Sequence, residues 1–369
     1  MNNTTSLVPE PEIQNSRSKT LKAVAIGLGI AIVVLGATYM LIQRRSSGEP
    51  GENKYGILPI GTDVTPTPVA TTSGLSGRTC PEPNRRPIGV MLAGDPINRP
   101  VSGFADADMV WELPVLVSDV TRLTAVYQCG QPTEIGSVRS ARHDYLFLAD
   151  GVDAIVGHWG GSYHALNRIA AGEFQTINAL SNPFNAYYRK STLPAPYNGF
   201  TSYEGLWNAL QKLGYRTTSN FAGFPFKDDA AVGERGTAGK LSIAWPGAFR
   251  VSFEYDPTTN RYQRYWADVK QLDAKTNVPV APSVVAIMTA TNGPADGPGG
   301  YNDVGIEGQG ALQVYQDGKV IKGTWKKNEL NKKDPVHFLD EQGKQITFTR
   351  GQLWVMAVEP SIGVTWTQQ

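Results

Sequence analysis

Met109-Val-Trp-Glu-Leu-Pro-Val115 and Thr121-Arg-Leu-Thr-Ala-Val-Tyr127 are two runs of β-branched, aromatic and aliphatic residues separated by a short link, and their reading decides the fold. Side chains alternate along a strand, so Met109, Trp111, Leu113 and Val115 share one face while Val110 and Glu112 share the other. On the second run Arg122, Thr124 and Val126 alternate with Leu123, Ala125 and Tyr127. A hairpin centred on Val117 sets Glu112 opposite Arg122, a carboxylate and a guanidinium meeting on one face.

Upstream, Pro87-Ile-Gly-Val-Met-Leu92 is a buried-strand pattern bounded by Gly94-Asp95-Pro96. Downstream, Ser137-Val-Arg-Ser-Ala-Arg-His-Asp-Tyr-Leu-Phe-Leu-Ala-Asp-Gly151 combines capping serines, apolar residues at helical spacing and a closing glycine. That combination predicts a helix of about ten residues with Arg139 and Arg142 at its entrance. Val152 to Val156 reads as a strand, followed by Gly157-His-Trp-Gly-Gly-Ser162 and a helix from Tyr163 to Ala171. A strand, a glycine turn and a serine-capped helix present backbone N–H groups, and here His158, at a strand's carboxyl end. A further helix is expected at Tyr203 to Leu213. Beyond Gly233-Glu-Arg-Gly-Thr-Ala-Gly239, short strands with Asp-Gly, Asp-Pro and Gly-Lys turns run from Leu241 to Val358. The expected architecture is an α/β domain at residues 86–232 bearing a polar site, then a mostly antiparallel β-rich domain at residues 240–360.

Residues 1–22 form a polar tail, and residues 23–42 are an uncharged apolar run long enough as a helix to span about 30 Å of hydrocarbon. Gln43-Arg-Arg45 follows it in place of a small-residue cleavage site, which favours a transmembrane helix over a signal peptide. Residues 43–85 are rich in Pro, Thr and Gly and read as an extended stalk. Basic residues precede the apolar run in slight excess, placing the tail in the cytoplasm and the rest outside the cell. With 34 basic and 33 acidic residues the net charge is +1, which offers no field for nucleic acid. Two cysteines are present, Cys80 and Cys129. In an oxidising compartment a bridge between them closes a loop worth about 4 kcal/mol; two separate free thiols are the alternative.

Within the polar site, Glu112 with Asp108 is a candidate acid/base pair, since carboxylates in different environments hold different protonation states. A pairing role for Glu112 and a turn role for Asp108 stand beside it. Arg122, Arg139 and Arg142, if they converge, form an anion site, because guanidinium forks bind carboxylates and phosphates in two parallel hydrogen bonds. Structural ion pairing with Glu112, Asp144 or Asp153 is the competing reading. His158 is a candidate acid, base or substrate donor. Ser162 lacks the context of a nucleophile and reads as a helix cap at the substrate site. Trp325 and Trp354 could stack on a sugar or serve as core corners. The four histidines show no metal-binding spacing, so no metal or cofactor is expected.

Arg86-Pro-Ile-Gly-Val-Met, Arg99-Pro-Val-Ser-Gly, Ala107-Asp108, Trp111-Glu112, Thr121-Arg122, Val138-Arg-Ser-Ala-Arg142 and His158-Trp-Gly-Gly-Ser162 together resemble the recurring motifs of the YerB-like lipoprotein family, the DUF3048 proteins of bacterial cell envelopes. Gly323-Thr-Trp-Lys, Gly343-Lys and Gly351-Gln-Leu-Trp are similar to its C-terminal domain. The resemblance implies an envelope protein over residues 86 to 359. It departs in two places: no cysteine precedes Cys80 to carry a lipid, so residues 23–42 serve as anchor, and the family's Ala-Pro-His-Asn stands here as Ala195-Pro-Tyr-Asn198. The expected function is action on, or binding to, a cell-wall glycan or peptidoglycan fragment. Arg122, Arg139, Arg142, Ser162 and Asn198 would hold it, with Glu112, His158 and Asp108 catalytic. A non-catalytic sensor or scaffold for an anionic ligand or protein partner is the alternative.

Overall fold

A computed structural model of the chain describes residues 71–115, 120–331 and 333–368. The tail, the apolar segment 23–42 and most of the stalk lie outside the described residues, among which no helix is long and apolar enough to cross a membrane. The folded unit reaches further back than composition suggests. Leu75 is buried, the Ser76 hydroxyl donates to Asp108, and Cys80 is bridged to Cys129, so residues 71–85 are docked chain and not stalk. The disulfide spans 49 residues of sequence and so contributes about 4 kcal/mol through loop closure.

Ten strands form one mixed sheet, in the order His337–Asp340, Lys319–Lys327, Gly308–Gln316, Val284–Thr289, Leu353–Val358, Met109–Pro114, Thr121–Tyr127, Ile88–Ala93, Ile155–His158 and Thr176–Asn178. The two domains expected from sequence are therefore joined in their cores. Met109–Pro114 lies parallel to Leu353–Val358, and every residue of both strands is buried. Strands apolar on both faces belong in the interior of a sheet, with neighbours on either side. Seven of the ten, those beginning at Ile88, Met109, Ile155, Thr176, Val284, Lys319 and Leu353, run the same way. Their carboxyl ends share one edge.

The Met109–Pro114 and Thr121–Tyr127 hairpin forms as expected, but its register differs by one residue. Glu112 pairs with Leu123, and Leu113 pairs with Arg122. A one-residue slip exchanges faces, so Glu112 and Arg122 lie on opposite sides of the sheet and the expected cross-strand pair does not exist. On the Glu112 side, Val90, Leu92, Val110, Leu123 and Trp354 pack against a five-stranded sheet built from Gly239–Ile243, Val251–Asp256, Arg261–Trp266, Val269–Lys270 and Val364–Gln368. The helix Tyr203–Lys212 covers the rest of that side with Leu206, Ala209 and Leu210. On the Arg122 side, Met91, Trp111, Leu113 and Val126 pack against the helix His143–Gly151 and the rings of Phe338 and Phe348.

Between the two sheets Glu112 is closed off from water and its carboxylate is fully engaged. Arg264 Nη2 lies 2.8 Å from each oxygen, Trp354 Nε1 donates at 2.9 Å and Thr121 Oγ1 at 3.2 Å. The Arg264 guanidinium is stacked over Trp266 at 4.2 Å and Trp354 at 4.6 Å, and both members of the pair are 0% exposed. Removing one charge leaves the other buried and uncompensated. Glu112→Gln should therefore lower stability by about 3–5 kcal/mol, read from urea unfolding of the full-length chain in detergent, and a loss below about 1 kcal/mol would show that the pair does not hold the layers together.

Candidate functional site

Arg122 opens its strand at the carboxyl edge, between Ala93 and Leu113 on the neighbouring strands. Residues 139–142 are laced into the same edge by backbone bonds. Arg139 N donates to Met91 O at 2.8 Å, Trp159 N to Arg139 O at 3.0 Å, and Ala141 N to Gly160 O at 2.9 Å. This segment thus bridges the ends of the Ile88–Ala93 and Ile155–His158 strands, and Arg142 stands at the N-cap of the helix His143–Gly151. Tyr145 fixes that helix to the sheet: its Oη receives the Leu113 N–H at 2.9 Å and lies against the Arg122 carbonyl. Ligands of open α/β sheets bind outside the carboxyl ends of the strands, and the three arginines converge there.

None of the three is neutralised. Among the described residues, the hydrogen bonds of their side chains go to carbonyls only: Arg122 Nη1 to Ser140 O at 3.2 Å, Arg139 Nη1 to Pro196 O at 3.2 Å and Arg142 Nη1 to Ala141 O at 3.1 Å. The Nε groups of Arg139 and Arg142 are buried without a partner. Burial, and then the charges of Arg142 and Arg139, pull the Arg122 guanidinium down to about 9; burial also lowers Arg142. Arg139 lies over the Tyr197 ring and Arg142 over Tyr301, each at 4.8 Å. Asp95 accepts from Tyr197 Oη at 3.2 Å, and its second oxygen is unpartnered. Clustered like charges without a direct ion-pair partner among the described residues favour an arriving anion, and guanidinium forks beside phenol rings match a carboxylate or a phosphate.

The other expected residues do not join this cluster. Glu112 is on the far face of the sheet with its oxygens taken. Asp108 is buried and accepts Gln128 N, Cys129 N and Gly130 N at 2.7, 2.8 and 3.1 Å, so it fixes the turn beside the disulfide. Four residues of extended strand put their Cα atoms about 13 Å apart, and the two carboxylates are engaged with separate partners. His158 is buried, its Nδ1 lies 2.7 Å from Gly160 O, and burial lowers its pKa. It holds the glycine turn in shape. Ser162 caps the helix Tyr163–Ala170 through Ala165 N at 3.3 Å, and Asn198 Oδ1 accepts from Arg189 at 2.5 Å. Trp325 and Trp354 are buried and do not form a sugar platform.

Two features escaped the sequence reading. Tyr197, Tyr301 and Asp95 wall the arginine site, yet each comes from a loop whose return to this edge has no local signal. His143, Asp144 and Asp303 bring donor atoms within 4.8 Å of one another, although Asp303 lies 160 residues from His143 in sequence. Burial, and then the neighbouring Asp303 carboxylate, push the Asp144 carboxyl well above its usual range. A larger cavity of about 850 Å³ involves Arg86, Asp153, Arg216 and Phe221 at the opposite edge, but its central charges are paired, with Asp153 2.5 Å from Arg216 and 3.3 Å from Arg86.

Residues 73–216 match the family described as Protein of unknown function (DUF3048) N-terminal domain, and residues 241–355 match its C-terminal domain. A Bacillus subtilis (strain 168) protein named "Putative lipoprotein YerB" is 29% identical over 277 residues, 74% of this chain and 81% of that protein. The crystal structure of YerB protein from Bacillus subtilis superposes with a TM-score of 0.71 at 26% identity, covering 80% of this chain and 99% of that one. With both family segments matched in order, and built here into one continuous sheet, the chain belongs to the DUF3048 family.

Proposed function

We propose that this is a membrane-anchored cell-envelope protein that binds, without turnover, an anionic group of the cell wall or of a partner at Arg122, Arg139 and Arg142. The observation that carries the reading is three converging guanidiniums with no carboxylate partner among the described residues. Binding is favoured over catalysis because Glu112, the residue expected to act as acid, is saturated by Arg264, Trp354 and Thr121, and Asp108 by backbone N–H groups. The Cys80–Cys129 disulfide suits an oxidising exterior. The lipoprotein name of the relative fits a membrane surface, and residues 23–42 would serve as the anchor here.

The test is co-sedimentation of the detergent-solubilised full-length chain with purified peptidoglycan. Arg139→Ala and Arg142→Ala should each weaken binding at least about tenfold, the scale of a lost charge-assisted pair, and the supernatant should contain no released wall fragments. Fragments that disappear with Glu112→Gln would replace this reading with an enzyme. Binding equal to wild type in both arginine variants would remove the site.

A second outcome follows from the uncompensated charge. Arg122→Met should cost less than about 1 kcal/mol, or stabilise, because it relieves buried like-charge repulsion. The same substitution should abolish the rise in melting temperature that phosphate or citrate gives wild type over chloride at equal ionic strength. A loss of more than about 3 kcal/mol would mark Arg122 as structural instead.

A further inference from the structure

His143 and Asp144 open a helix on the Arg122 side of the sheet. Asp303 reaches them from the hairpin formed by Asn292–Pro294 and Asn302–Val304. His143 Nε2 lies 3.0 Å from Asp144 Oδ1 and 3.0 Å from Asp303 Oδ1. A single imidazole N–H points along one line and cannot satisfy two carboxylates at once. Asp144 is 3% exposed, and no Lys or Arg forms an ion pair with it or with Asp303 among the described residues. Asp144 also receives the Val304 N–H, so the helix and the hairpin meet around this carboxylate. The cluster faces a cavity of about 480 Å³ that Asp296 and His164 also line. The His164 ring is 5.3 Å from that of His143, and its Nε2 is enclosed without a hydrogen-bond partner.

We infer that His143, Asp144 and Asp303 form a divalent transition-metal site, of which zinc is the best match. Two carboxylates and an imidazole are donors of the kind that suit zinc, and the imidazole disfavours magnesium and calcium. Tetrahedral zinc with ligands at about 2.1 Å sets its donors about 3.4 Å apart; the two nitrogen–oxygen separations, at 3.0 Å, are within a few tenths of that. His164 is placed to supply a fourth donor by turning its side chain. The cation would supply the positive charge that two adjacent carboxylates lack, and it would fasten the Asn292–Val304 hairpin to the helix. That hairpin carries Tyr301 over Arg142, so the metal would also fix one wall of the arginine site. The metal site itself does not depend on what the arginines bind.

The experiment is equilibrium dialysis of the detergent-solubilised full-length chain, purified without metal, against Zn²⁺ alone. Wild type should take up one equivalent. Asp303→Asn and Asp144→Asn should each weaken uptake at least tenfold, while His337→Ala, which breaks the surface pair of His337 with Asp334, should bind as wild type. The Asp303 side chain is 64% exposed, so Asp303→Asn should keep the metal-free melting temperature and separate lost ligation from lost folding. No uptake by wild type would show a plain hydrogen-bonded triad, and unchanged uptake in both aspartate variants, or its loss in His337→Ala, would place the metal elsewhere. Each of these results overturns the inference while leaving the arginine site untouched.

Discussion

The buried pair of Glu112 and Arg264 is the constraint on which the rest of the molecule depends. Two full charges lie where water does not reach, between a ten-stranded and a five-stranded sheet. Such a pair is tolerated where further hydrogen bonds satisfy its remaining polar atoms. Here Trp354 and Thr121 complete the carboxylate and Gln271 takes a guanidinium N–H, while Arg264 Nε stays without a hydrogen-bond partner between the two indole rings. Glu112, Arg264 and Trp354 come from three separate strands, two of them from the second half of the chain. The carboxylate therefore sets how the layers face each other, and it does so in a core otherwise filled by interchangeable apolar contacts. Registry is the best-attested use of a buried charge.

The same pair explains why the arginine site is charged. Had the hairpin closed one residue earlier, Glu112 would share a face with Arg122 and neutralise it. In the register observed, Leu113 lies opposite Arg122, and Glu112 is committed to the other side of the sheet. Arg122 is then left with one carbonyl and two neighbouring guanidiniums. Guanidiniums held by backbone bonds at the ends of several strands are the preorganisation that the proposed anion site requires. Tyr197 and Tyr301 cover a face of Arg139 and of Arg142, and shielding from water strengthens the attraction of a guanidinium for an anion.

Much of this was legible in the residues. The alternation in 109–115 and 121–127, the apolar run ending at Leu92, and the serine before Tyr163 located strands and a helix to within a residue or two, because these are short-range patterns. That the three arginines come together was legible as well, from their place at a strand start and a helix entrance. Register was not, since it is set across the sheet: the partner of Glu112 is 152 residues away, and no hairpin rule refers to it. That the two segments share one sheet was hidden for a related reason. Glycine-rich residues 233–239 are a true break in local composition, but the burial of Met109–Pro114 and Leu353–Val358 on both faces demands that they lie side by side.

Asp108 had two readings in the sequence, acid/base residue and turn residue, and its hydrogen bonds are those of the second. An acidic residue just before a strand, in a segment rich in polar groups, has the composition of an active site. Its oxygens instead collect three successive backbone N–H groups from residues 128–130 and a hydroxyl from Ser76. Those donors belong to the turn that carries Cys129, so the carboxylate, the disulfide and the docked segment 71–85 form one fastening at the amino edge of the sheet. The two edges then divide the work. At the amino edge Asp108 is saturated by hydrogen bonds and Asp153 is paired with its arginines. At the carboxyl edge cations and carboxylates are held close together without their partners, and unsatisfied charge is where a ligand gains most by arriving.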